Sequence, residues 1–200
     1  MPDRFEQRLA EDFFQFVKGN LDDEEVKVFL CGQGLDETHK IEDQTDSNIR
    51  AFLKVKIEEQ VKGCKVTLAE HKNLIDAYSR AIGEGDGPKY SNLTDYELQL
   101  AHWADLIVIL PSSAGSIAEL GMFAVSKQIA PKLLIFFDQT YGLKSYIWNG
   151  PIRAATGPTR GARVVVTEYK NIDQILDTVI HRVRDEKSTK RSNKLLAGER

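Results

Sequence analysis

The chain has 200 residues, a formal net charge of −3 at pH 7 and a hydrophobic fraction of 42%. This length and composition favour one globular domain and exclude wholesale disorder, and the near balance of charge argues against a basic, nucleic-acid-binding body. The chain has only two cysteines, no signal-peptide pattern and no apolar run of roughly 18 residues. We therefore predict a soluble cytoplasmic protein with reduced thiols and no membrane partner.

Hydrophobic periodicity divides the chain into alternating helices and strands. Residues 1–24 hold an amphipathic helix, residues 25–184 form an α/β domain, and residues 185–200 are predicted to be a basic, solvated tail. The first predicted strand begins at Val26, and the other four cover residues 65–68, 106–110, 132–138 and 163–167. The predicted helices cover about 47–62, with Ser47 or Asp46 as cap, then 69–83, 94–103, a stretch after Pro111, and 172–183.

This alternation predicts a three-layer, Rossmann-like fold with a five-stranded, mainly parallel sheet and helices on both faces. If the strands follow the flavodoxin-like order 2-1-3-4-5, the loops after the first and third strands meet where the strand order reverses. Those loops are Gly32-Gln33-Gly34 and Pro111 to Ser116. Ligands of such sheets bind at this place, so both loops are candidate binding segments, although a plain tight turn also explains the two glycines.

Several familiar sites are excluded by their missing motifs. The chain lacks the phosphate loop of nucleoside triphosphatases, the H-E-x-x-H zinc motif and the G-x-S-x-G elbow, and Glu37 stands where a dinucleotide fingerprint needs its third glycine. The four histidines are scattered without ligand spacing. We therefore expect no metal and no resident cofactor, with NAD or a nucleotide entering only as a substrate.

Glu119 is the one reactive group near the second loop. One interpretation is structural, because Ser116-Ile-Ala-Glu119 has the form of a capping box in the first turn of a helix. In the other, Glu119 attacks or stabilises an oxocarbenium-like carbon while an N-glycosidic bond breaks, and the helix dipole helps to keep it ionised. Ser112, Ser113, Ser116 and the backbone N–H groups around Gly115 would then hold ribose hydroxyls or a phosphate.

Other segments carry weaker signals with a structural alternative each. Glu70 stands just past the second strand as a surface acid at a helix start, and Asn149 stands in a segment typical of a turn. Trp148 and Tyr146 either stack on a base or pack in the core. Thr94-Asp-Tyr-Glu97 has the form of a capping box, and the glycine-rich residues 83–89 form either a lid or a surface loop.

Four segments in order carry a family resemblance: FLCGQG, ADLIVILPSSAGSIAELGMFA, a buried strand and YIWNGPIRAATG. Together they resemble the nucleoside deoxyribosyltransferase-like domain of retron-associated antiphage effectors. More distantly, the glycine-rich turn followed by a helix-borne glutamate is similar to that of nucleoside deoxyribosyltransferases, phosphoribohydrolases and TIR-type NAD hydrolases. The resemblance implies that Glu119 is the catalytic carboxylate and that Ser113 and Ser116 contact the ligand. It also implies a polar contact near a sugar for Glu70 and a substrate or subunit contact for Asn149.

The chain also departs from the classical deoxyribosyltransferases. They have an acidic residue after the third strand and a tyrosine in the first strand, where this chain has Pro111-Ser112 and Phe29-Leu30-Cys31. Hydrolysis of a nucleotide, NAD or a modified nucleic acid is therefore favoured over transfer between free bases. A homo-oligomer and a defence-system protein or nucleic acid are further expected partners, and a non-catalytic nucleotide-sensing or regulatory subunit is the alternative function.

Overall fold

The structure is a computed structural model that describes residues 13–15, 22–36, 38–82 and 93–198. Most of the predicted N-terminal helix and the glycine-rich residues 83–89 therefore lie outside the described residues. Within them, strands and helices alternate as the sequence predicts.

A five-stranded sheet in which all neighbouring strands are parallel forms the centre of the fold, with the order β2-β1-β3-β4-β5. This confirms the predicted α/β class and the flavodoxin-like order. The strands are β1 (Val26–Cys31), β2 (Cys64–Thr67), β3 (Leu106–Ile109), β4 (Leu133–Asp138) and β5 (Arg163–Thr167).

Six α-helices lie among the described residues. They are α1 (Ile49–Gln60), α2 (Lys72–Ala81), α3 (Leu93–Trp103), α4 (Ala114–Val125), α5 (Arg153–Ala155) and α6 (Ile172–Leu196), with a π-helical turn at Trp148–Ile152 before α5. The cap of α1 is Asn48, whose Oδ1 accepts a hydrogen bond from the N–H of Arg50 at 2.9 Å. The predicted caps Ser47 and Asp46 were therefore wrong. None of the helices in the described ranges is long and apolar enough to cross a membrane.

The hydrophobic core has two halves, one on each face of the sheet. Residues of β1 alternate between them, so that Phe29 and Cys31 pack toward α2, α3, α4 and α5, and Leu30 packs toward α1 and α6. Both faces of β3 and of β4 up to Phe137 are covered, since all of these residues are apolar and buried. This arrangement places the Cys31 side chain on the face of the sheet that α4 covers.

The closing helix α6 is longer than predicted and continues to Leu196. Its basic residues dock on the rest of the domain: Lys187 is buried and donates to the carbonyl of Lys62, Lys190 donates to Asp105 Oδ2 at 2.6 Å, and Lys194 to Glu24 Oε2 at 2.7 Å. Residues 185–196 thus continue the helix and dock through these lysines, while residues 192–196 are exposed, as expected for a solvated tail. Lysine stems pack against the domain while their ammonium groups reach acceptors, which a charged sequence pattern does not reveal.

Candidate functional site

The loops after β1 and β3 meet at the carboxyl edge of the sheet. The N–H of Leu110 donates to the carbonyl of Cys31 at 3.0 Å, and Ser113 Oγ donates to the carbonyl of Gly32 at 3.5 Å. The strand order reverses between these two strands, and ligands of parallel sheets bind at such a point. The two candidate loops are thus brought together as expected.

The first turn of α4 is capped by Ser113. Its backbone is extended, its Oγ accepts from the N–H of Ser116 at 3.2 Å, and Ser116 Oγ accepts in return from the N–H of Ser113 at 3.0 Å. The predicted capping box of Ser116 and Glu119 was therefore wrong by one turn. Since Ala114 is the first helical residue, Glu119 lies in the second turn and is free of any capping role.

The carboxyl group of Glu119 is largely buried. Its Oε2 has no hydrogen-bond partner among the described residues. Its pKa is raised to about 7, first by burial and then by the negative charge of Glu97, while the positive charge of Arg50 opposes the shift. Burial and the second carboxylate therefore favour the neutral form of Glu119, and any help that the helix dipole gives to the ionised form stays a prediction.

Glu97 on α3 is the neighbouring carboxyl group. Burial raises its pKa, while a hydrogen bond with Glu119 opposes that shift. The helix already includes Leu93 and Thr94, so the predicted capping box of Thr94 and Glu97 was wrong. Two carboxyl groups this close favour one shared proton, since both cannot ionise cheaply.

Arg50 and Glu70 form a partly buried ion pair whose two charges act on the Glu119 carboxyl. The Arg50 side chain is 3% exposed, and its Nη1 and Nη2 donate to the two carboxylate oxygens of Glu70 at 2.9 and 2.8 Å. The same two nitrogens donate to the carbonyls of Gln33 at 2.9 Å and Leu30 at 3.1 Å. Burial alone would raise the pKa of Glu70, but the hydrogen bond and charge of Arg50 outweigh it and lower that pKa.

The first loop is held by the start of α1. A Cβ atom on Gly32 would lie 2.8 Å from Cδ of Arg50, so the Arg50 stem needs a glycine there. The carbonyl of Gly34 accepts from Asn48 Nδ2 at 3.0 Å, and the carbonyl of Gln33 is taken by Arg50. The backbone carbonyls of Gln33 and Gly34 therefore already have partners within the fold.

The remaining candidates from the sequence are Ser112 and Gly115, at the start of α4, and Asn149, in the π-helical turn. Ser112 Oγ donates to the carbonyl of Leu110 at 3.2 Å, and Gly115 is exposed in the first turn of α4. Asn149 is exposed in the π-helical turn, and its Nδ2 donates to the carbonyls of Leu143 and Ser145 at 3.1 and 3.2 Å.

The two aromatic candidates differ in their surroundings. The Trp148 ring lies 5.1 Å from that of Phe137, which places it beside the core. The side chain of Tyr146 is 78% exposed.

Sequence analysis missed Arg50, Glu97 and Cys31. The thiol of Cys31 is buried, and burial together with the charge of Glu119 raises its pKa well above the usual range. Arg50 and Glu97 lie in the first two turns of their helices, as Glu119 does. The helices that link parallel strands begin at the carboxyl edge of the sheet, so a polar side chain early in each helix is the signal that finds them. Within the described ranges, His, Cys, Asp and Glu form no group suited to a metal ion.

Two comparisons relate the chain to known proteins. A family model described as "STM3845 retron effector protein" matches residues 46–199, which include Arg50, Glu70, Glu97 and Glu119. Over 87 residues the chain is 37% identical to an Escherichia coli protein named "Retron Ec73 putative ribosyltransferase/DNA-binding protein". This match covers 43% of the chain and 28% of that relative, so the two share less than a third of the relative's length.

Proposed function

The chain belongs to the family described as STM3845 retron effector protein, and we propose that it is a glycosyl-transfer-like defence effector that cleaves an N-glycosidic bond of a nucleotide-like substrate. Glu119 is the catalytic carboxylate in this proposal. The name of the Escherichia coli relative, which includes ribosyltransferase, supports the reaction class. Nucleotides, NAD and modified nucleic acids all contain such a bond.

One observation carries the proposal: Glu119 presents a buried oxygen without a hydrogen-bond partner in the described part of the chain. A buried polar atom without a partner is costly in a folded protein, and such costs are typical of functional sites. Glu119 belongs to the helix that follows the loop after β3, at the point where the strand order reverses and where ligands of parallel sheets bind. Because this oxygen has no hydrogen bond within the described residues, a ligand that reaches it would not have to displace one.

The carboxyl pair supplies both groups that the reaction needs. The bond between the sugar carbon and the base nitrogen breaks, and its electron pair leaves with the base. In the state that carries the shared proton on Glu97, Glu119 is ionised and attacks or stabilises the electron-poor sugar carbon, and Glu97 donates that proton to the leaving base. Water then adds to the sugar carbon and returns a proton to Glu97, which restores the starting state. The raised pKa values of both groups suit one shared proton near neutral pH.

The start of α4 suits the sugar or a phosphate of the same substrate. The backbone N–H groups of Ala114 and Gly115 lie in the exposed first turn, where the helix dipole attracts an anion or a hydroxyl oxygen. Ser113 and Ser116 already bond each other, so a contact between either hydroxyl and the ligand would replace one bond of the cap. Asn149 and Ser112 remain further contact candidates.

Nucleotide pools in phage-infected cells test the proposal. Cells producing the wild type, Glu119→Gln or the control Glu59→Gln are infected, extracted and analysed by mass spectrometry for free bases and parent nucleotides. Glu59 is an exposed glutamate on α1, so its replacement leaves the site unchanged. We expect the wild type and Glu59→Gln to release a base that Glu119→Gln does not.

Equal base levels in all three strains would contradict the proposal. The alternative, a non-catalytic nucleotide sensor, makes a different prediction for the purified proteins. Saturable nucleotide binding that survives Glu119→Gln, with no base released in cells, would favour the sensor.

A further inference from the structure

We infer that the ion pair of Arg50 and Glu70 is a positioning device for the carboxyl pair of Glu97 and Glu119. It holds the Arg50 guanidinium beside that pair, and the negative charge of Glu70 partly offsets the positive charge of Arg50. In this view Glu70 acts on Glu119 through Arg50 and is not a substrate ligand. The inference rests on the proposed role of Glu119 and adds the groups that set its protonation.

The geometry fixes the guanidinium in one position. Each of its two terminal nitrogens donates one hydrogen bond to Glu70 and one to a backbone carbonyl, so all four of their N–H bonds are used. The stem lies against Gly32, where no larger residue fits without a shift. A guanidinium held by a two-pronged carboxylate contact and two carbonyls cannot turn toward Glu119.

The groups that act on the Glu119 carboxyl come from four elements among the described residues, three of them through their charge and the neutral Cys31 thiol through a hydrogen bond. The thiol of Cys31 comes from β1, Arg50 from α1, Glu97 from α3, and Glu70 from the turn after β2. Of the side chains that act on the Glu119 carboxyl through their charge, Arg50 is the cation, and it favours the ionised form. Glu70 has the opposite effect on Glu119 and also neutralises Arg50.

This balance has a functional consequence. A free guanidinium beside Glu119 would keep that carboxyl ionised at neutral pH. With Glu70 bound to Arg50, the attraction is partly cancelled and the pKa of Glu119 stays at about 7. The pair of Glu97 and Glu119 therefore retains its shared proton under the conditions in which it would act.

A direct titration of Glu119 tests the inference without any substrate. The protein is labelled with glutamate carrying 13C at the carboxyl carbon, and the Glu119 resonance is assigned by its loss in Glu119→Gln. Its pKa is then measured in the wild type, Glu70→Gln, Glu70→Ala and Glu70→Asp. Glu70→Ala removes the same charge without setting an amide against the guanidinium, and Glu59→Gln is the control for a distant, exposed charge.

We expect the pKa of Glu119 to fall by roughly one unit in Glu70→Gln and Glu70→Ala, because an opposite charge nearby then acts without a competitor. Glu70→Asp retains the charge and should keep the wild-type value, as should Glu59→Gln. An unchanged or raised pKa in Glu70→Gln and Glu70→Ala, or an equal fall in Glu59→Gln, would overturn the inference.

The titration and the base-release assay fail independently. If the shift appears but no base is released, the proposed function is wrong and the positioning role stands. If base is released by a Glu119-dependent reaction while Glu70 variants leave the Glu119 pKa unchanged, the function stands and the positioning role is wrong.

Discussion

Glu119 carries a stability cost that follows from its own position. Its pKa is about 7 in the folded protein, compared with 4.5 for an unperturbed glutamate. The unfolded chain therefore loses its proton first as the pH rises, so the folding contribution of Glu119 is most favourable below about pH 4.5 and falls until the pH has passed 7. The full penalty is on the order of 3 kcal/mol.

Replacement of Glu119 by glutamine should remove this pH dependence. We expect the free energy of unfolding of the wild type to drop between pH 5 and pH 8 by roughly 2 to 3 kcal/mol more than that of Glu119→Gln. Urea unfolding at the two pH values measures the difference, and Glu59→Gln should behave as the wild type. A parallel pH dependence of the wild type and Glu119→Gln would show that Glu119 is not held near a pKa of 7.

Gly32 and Gly34 are neighbouring glycines with different surroundings, which makes them a matched pair. A methyl group on Gly32 would meet Cδ and Cγ of Arg50 at 2.8 and 3.1 Å, whereas nothing lies within 4 Å of one on Gly34. We expect Gly32→Ala to destabilise the protein by about 1 to 3 kcal/mol in urea unfolding, and Gly34→Ala to be near neutral. Equal effects of the two substitutions would contradict the packing of Arg50 against Gly32.

At the scale of an element, the start of α4 depends on one hydroxyl group. Ser113→Ala removes the oxygen that accepts from the N–H of Ser116, so we expect a loss of about 1 kcal/mol in the free energy of unfolding. Ser112→Ala is the control, because Ser112 Oγ only donates to a neighbouring carbonyl. If Ser112→Ala costs as much as Ser113→Ala, the cap is not the source of the loss.

The strands were predictable and the helix ends were not, for a physical reason. The central strands β3 and β4 are short, mainly apolar runs, and burial on both sheet faces leaves little choice for their position. A helix start, by contrast, is decided among adjacent residues with similar side chains. The N-caps are Ser113 and Asn48, and not Ser116 and Ser47. The backbones of Ser113 and Asn48 are extended, and their side-chain oxygens accept hydrogen bonds from N–H groups of the first helical turn.

The far end of α6 shows a second limit of sequence reasoning. Its lysines follow a spacing that also suits a solvated helix, and their acceptors lie more than 80 residues away in the chain. No local pattern reveals such a contact. The extension of α6 to Leu196 therefore becomes visible only when the fold is assembled.

At the scale of the whole molecule, the parallel sheet brings together the residues of the candidate site. Glu119 was predictable because it follows the third strand closely, at a point where the strand order reverses. Arg50, Glu70 and Glu97 come from three other segments, and only the assembled sheet shows that their charges act on Glu119. The range matched by the family model includes all four of these positions, whereas Cys31 precedes it.

The rate at which purified Glu119→Gln releases base tests the central claim most directly. The substrate is the one that phage-infected cells identify, and the wild type and Glu59→Gln are assayed beside it at equal concentrations of folded protein. We predict that Glu59→Gln keeps the wild-type rate and that Glu119→Gln loses at least about 100-fold, because the carboxylate that meets the sugar carbon is gone. A Glu119→Gln rate within a few-fold of the wild-type rate would contradict the catalytic role of Glu119.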